Sequence, residues 1–215
     1  MSHNRADRPG LSLARPPSEP SSDGASQPRR NPFLVYVGRV SEFDRSDWYV
    51  YLSWVGTMLG LVLSTGGFVV FGRLHGAPLP TEAWLVPIGA LIFAIAISID
   101  TIGHRTIYKE ALKGGERLVH HITIANGVAS NVLLVLAYSY RACAIPAMVL
   151  TGLSLLYSLI DEGFHWRRYV SSKSDPVEMW SHVAIFVGHG IMMTGWWWCW
   201  ALGYPGVRET LAALR

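Results

Sequence analysis

Residues 144–169 read AIPAMVLTGLSLLYSLIDEGFHWRRY, a long apolar run that ends on Asp161, Glu162 and His165. About 20 apolar residues are enough to cross a bilayer as a helix, and an ionisable group set into such a helix has to find a partner. Residues 99–108, IDTIGHRTIY, close an earlier apolar run in the same manner. Asp100, His104 and Tyr108 stand 61 positions before Asp161, His165 and Tyr169.

The chain as a whole supports this reading. Of its 215 residues 50% are hydrophobic and only 15% charged, well short of the quarter expected of a soluble domain. Runs long enough to span a membrane occur at about 48–71, 82–103, 118–140, 144–164 and 179–203, which predicts an all-α integral membrane protein with five transmembrane helices. Residues 1–32, rich in Pro, Ser, Gly and Arg, bury too little to order themselves and are expected to be a disordered tail. They lack the apolar core of a cleavable signal peptide. Residues 33–47 read as a juxtamembrane segment at the interface, and 48–215 as the membrane domain.

Basic residues set the orientation. Fourteen of the 18 Lys and Arg residues fall on the side of the N-terminus and the loops after the second and fourth spans. Arg73, Arg141, Arg208 and Arg215 fall on the other. The N-terminus is therefore expected in the cytoplasm and the C-terminus opposite. The net charge of +3 reports topology, and no interleaved basic and aromatic surface points to nucleic acid. Arg105, Arg117 and Glu110 read as solvated loop charges. Cys143 and Cys199 have no CxxC or CxxCH spacing, so zinc ribbons, thiol redox and covalent haem are not signalled.

The repeated motif continues into the next helix of each pair. Glu116 and His120 follow the first copy, and Glu178 and His182 follow the second, 62 positions on. A duplicated helical hairpin, about 82–140 and 144–203, accounts for both offsets with one inserted loop residue. Both copies begin on the same side, so the repeats would be parallel, related by an axis along the membrane normal. Spans 2–5 would then form a four-helix bundle, with span 1 outside it.

Residues four apart share a helix face. Asp100 with His104, Glu116 with His120, Asp161 with His165 and Glu178 with His182 are four such pairs, one per helix. Helix direction sorts them into a deep layer of Asp100, His120, Asp161 and His182 and a shallow layer of His104, Glu116, His165 and Glu178. Polar stripes support inward projection: Thr123, Gly127 and Asn131 continue the face of His120, and Thr151, Ser154 and Ser158 lead to Asp161.

Carboxylates and neutral imidazoles are natural metal ligands. The layout resembles the di-metal carboxylate helical bundles in ligand type and helix number. It departs from them in having carboxylate-x3-His on all four helices, where they use Glu-x2-His on two. Glu162 with His165 would make one Glu-x2-His, which leaves open whether Asp161 or Glu162 is the ligand. His121 and His189 are possible additional ligands. Membrane desaturases and hydroxylases also hold ligands near the cytoplasmic face, but their HxxxH and HxxHH spacings are absent.

The resemblance implies a pair of metal ions, iron first and Mn, Zn or Cu open. The chain would be an oxygenase- or oxidase-type enzyme that oxidises, hydroxylates or desaturates a lipophilic substrate, fed by an electron-donor protein or a larger membrane complex. The alternative is a non-catalytic subunit holding haem or a chlorophyll-type pigment, with His189 between Gly188 and Gly190 as the axial candidate. A transporter would need the polar face to continue beyond Asn131, Thr151 and His189, where it fades.

Overall fold

The computed structural model describes residues 31–107, 114–172 and 175–215. Most of the expected tail therefore lies outside the described residues, as do Tyr108 and the side chain of Glu116.

Every described element is helical. Helix α1 spans Pro32–Gly38 and runs into a 3-10 turn, Arg39–Glu42. Helices α2 (Arg45–Leu74), α3 (Leu85–Thr106), α4 (Gly114–Ala137), α5 (Ala144–Ser172) and α6 (Pro176–Ala201) correspond to the five expected spans, and α7 (Val207–Ala213) closes the chain. Four segments are long and apolar enough to cross a membrane: Arg45–Leu74, Thr81–Thr106, Arg117–Ala137 and Arg141–Ser171. Helix α6 is 26 residues long, but His182, His189 and the tryptophans of 196–200 lower its hydropathy, and it is not among the four.

Local chemistry explains where the helices begin. Asp44 and Asp47 form a reciprocal capping box at the start of α2, each carboxylate accepting from the other's backbone N–H at 2.8 and 3.0 Å. Asp175 accepts from the Val177 N–H at 2.9 Å, with Pro176 opening α6. Helix α5 runs past the expected end at 164, because no helix breaker intervenes before Ser172.

Packing divides the helices into pairs. Helix α3 lies along α6 and α4 along α5, while α2 packs on the outside of α3. Glycines let α3 and α6 approach backbone to backbone: a Cβ on Gly188 would lie 2.6 Å from Phe93 N, and one on Gly89 would collide with Met192 N. Helices α3 and α4, consecutive in the chain, hardly touch among the described residues. The apolar core, centred on Ala90, Leu134, Ala147, Met192 and Met193, fills the half of the bundle remote from the repeated Asp and His residues.

The end carrying those residues is closed differently from expectation. Arg105 is not a solvated loop charge: its Nε and a terminal nitrogen both lie 2.6 Å from Asp47 Oδ1, and both side chains are largely buried. The physical reason is that α3 continues past the last apolar residue and brings Arg105 against the first turn of α2. Within 33–47, α1 and the 3-10 turn lead through Phe43 and Asp44 into α2, and Tyr36 is buried with its phenol against Gly103.

Candidate metal centre

Helix α3 presents Asp100 and His104 one turn apart; α5 presents Asp161, Glu162 and His165; α6 presents Glu178 and His182; α4 presents His120. The stripe on α5 faces inward as its spacing predicts, with Thr151, Ser154, Asp161 and His165 all buried.

Three imidazoles form the heart of the cluster. One nitrogen from each of His104, His165 and His182 lies within 4.8 Å of the other two. The rings of His165 and His182 stack at 3.4 Å between centroids. A metal takes imidazole as a ligand through a deprotonated ring nitrogen.

Carboxylates surround the imidazoles. His182 Nε2 lies 3.0 Å from Asp100 Oδ1, and His104 Nε2 lies 3.4 Å from Asp100 Oδ2. His120 Nδ1 donates to Asp161 Oδ2 at 3.2 Å. His165 Nδ1 lies 3.4 Å from Glu178 Oε1, and His182 Nδ1 lies 3.8 Å from Glu162 Oε2. The two deep pairs, Asp100 with His182 and Asp161 with His120, join residues that exchange under the 61- and 62-residue offsets.

Several of these groups are close without being satisfied. His182 Nε2 and Asp100 Oδ1 are near enough for a hydrogen bond but are not aligned for one. Asp161 Oδ1 and Glu162 Oε1 are buried with no hydrogen-bond partner among the described residues. A buried polar atom left unpaired costs roughly 1–3 kcal/mol, and several pointing into one volume suit a cation. Metal–nitrogen bonds of about 2.0–2.1 Å would require the imidazoles to draw slightly closer, which ring rotation provides. The residues therefore fit a metal ion, with carboxylates both to ligate it and to orient the histidines.

The expected ligands sort into three groups. His104, His165 and His182 converge, with Asp100, Asp161, Glu162 and Glu178 around them. Asp161 and Glu162 both approach imidazoles of the site, so neither displaces the other. His120 is the more open ring, 27% exposed, and lies 5.6 Å from that of His104, nearer than the His165 and His182 rings at 6.3 and 6.2 Å. His121 is exposed, its Nδ1 donating to Arg117 O at 2.6 Å, and lies outside the cluster. His189 lies two turns deeper, stacked on Phe93 at 6.0 Å. Gly188 beside it is occupied by the backbone of α3, so no large ring can approach on that side.

No protein-family model, curated protein or solved structure matches the chain. The site itself therefore carries the functional argument.

Tyr36 and the Asp47–Arg105 pair were not anticipated as neighbours of the site. The DRSD capping sequence at 44–47 was legible; nothing in PFLVYVG announces that Tyr36 turns inward.

Proposed function

We propose that the chain is an integral membrane protein, cytoplasmic at its N-terminus, whose helices α2–α6 cross the bilayer and whose α3–α6 derive from a duplicated hairpin. It holds two metal ions, iron by preference, and oxidises, hydroxylates or desaturates a lipophilic substrate. One observation carries the reading: three imidazoles and four carboxylates from three helices meet inside a bundle whose outer faces are apolar. Leu52, Leu59 and Leu63 on α2 and Ile145, Met148 and Val149 on α5 point outward and are exposed, as lipid-facing residues would be. The exchange of the two deep Asp–His pairs under the sequence offset supports the duplication.

An iron pair, when bound, would supply dioxygen activation and one-electron chemistry. The chain's own part is to bind and orient. Glu178 holds the His165 ring through Nδ1, and Asp100 stands between His104 and His182. Asp161 and Glu162 bring oxygens without other partners. The apolar core beneath the site excludes water from its deep side.

Elemental analysis of detergent-purified protein, quantified per chain and paired with an absorption spectrum, tests the reading. About two irons per chain with no porphyrin band is expected. Absence of stoichiometric metal, or a strong porphyrin band, would overturn it.

A further inference from the structure

The four repeated histidines are not placed alike. Under the 61- and 62-residue offsets His104 answers to His165 and His120 to His182, so a symmetric centre would treat the two sets equally. Their carboxylate partners are nearly equivalent: Asp100 Oδ1 lies 3.0 Å from His182 Nε2, and Asp161 Oδ2 lies 3.2 Å from His120 Nδ1. The imidazole pairs differ. His165 and His182 stack at 3.4 Å between centroids, whereas His104 and His120 stand 5.6 Å apart. Side-chain exposure follows the same division, 2% and 7% in the first pair against 14% and 27% in the second.

This difference sets how strongly each half can hold an ion. The closed pair is joined by His104 as a third imidazole, with one nitrogen from each ring within 4.8 Å of the other two and Asp100 beside both His104 and His182. Glu178 approaches the His165 ring at its other nitrogen. Ligands that already converge and are held by partners need little rearrangement to bind, and imidazole nitrogen suits iron, copper and zinc. The other half is left with one imidazole, His120, and with Asp161, whose Oδ1 is buried without a hydrogen-bond partner among the described residues. It offers fewer nitrogen donors, and its ring is the most open of the four. A metal that keeps a position for water is one at which another small molecule can bind.

We infer that the centre is asymmetric: a first ion binds tightly among His104, His165 and His182, and a second binds more weakly at His120 and Asp161, where it is open to a small exogenous ligand of the size of dioxygen. The inference rests on the two-ion reading above. Partners that fix a ligand ring are worth roughly 10–100-fold in metal affinity, so the two dissociation constants should differ by at least about tenfold.

The test is a titration of the metal-free, detergent-purified full chain with Co2+ against a chromophoric chelator, with bound cobalt counted per chain and azide added at each equivalent. Two steps are expected, and azide should alter the visible cobalt spectrum only after the second. His120→Ala should bind a single equivalent with the affinity of the first step and give no azide response. The wild-type titration decides the order of loading even if that variant misfolds. Two equal steps, an azide response at the first equivalent, or a folded His120→Ala chain that binds two ions or none overturns the inference and leaves the metal centre standing. A wild-type chain that takes up one ion overturns the inference together with the count of two, and one that takes up none overturns the metal-centre reading as well.

Discussion

His182 Nε2 lies 3.0 Å from Asp100 Oδ1 across the α3–α6 interface, and neither atom is aligned for a hydrogen bond. Two buried ligand-type groups held close but unsatisfied are what a shared cation would resolve. His182→Ala should therefore empty the site of metal while circular dichroism still reports a helical protein. Full metal retention would remove His182 from the site.

Glu178 approaches His165 Nδ1 at 3.4 Å, and a carboxylate in that position orients the ring and raises its basicity. Glu178→Gln should weaken metal affinity by roughly 10–100-fold without abolishing binding. Competitive titration with a chromophoric chelator measures the change; affinity equal to wild type would leave Glu178 a structural partner only.

His121 is exposed and His189 stacks on Phe93 away from the cluster. Alanine at either position should leave metal stoichiometry unchanged. A drop of one ion per chain in either variant would redraw the ligand set.

The close approach of α3 and α6 depends on small residues. Gly188→Ala places a methyl 2.6 Å from Phe93 N, where backbone has to move, and overpacking of this kind costs about 1–3 kcal/mol. Gly190→Ala meets nothing within 4 Å, so it should be neutral or gain up to about 1 kcal/mol of helix propensity. Thermal unfolding in detergent should separate the two variants; equal transitions would mean that the interface yields.

Arg105 and Asp47 bury opposite charges together. Arg105→Gln should cost up to about 3–5 kcal/mol, since Asp47 keeps its capping bond from the Asp44 N–H but loses the charge that offsets its burial. Adding Asp47→Asn should recover part of that loss, and denaturant unfolding of the two variants provides the comparison. Arg105 had read as a loop charge because sequence shows only the end of an apolar run. The helix continues, and continuation turns the next side chain toward α2.

Periodicity made the helices, their polar stripes and the ligand types legible, because a 3.6-residue repeat assigns each side chain to a face before any neighbour is known. It also indicated that Asp161 and His165 share a face and that the same pattern recurs at Asp100 and His104. Which imidazoles converge was decided only in three dimensions. His104, His165 and His182 converge because glycines bring α3 and α6 into backbone contact and the stacked rings of His165 and His182 join α5 to α6. A helix face can be read along one chain segment, but the distance between two faces depends on side chains far apart in sequence.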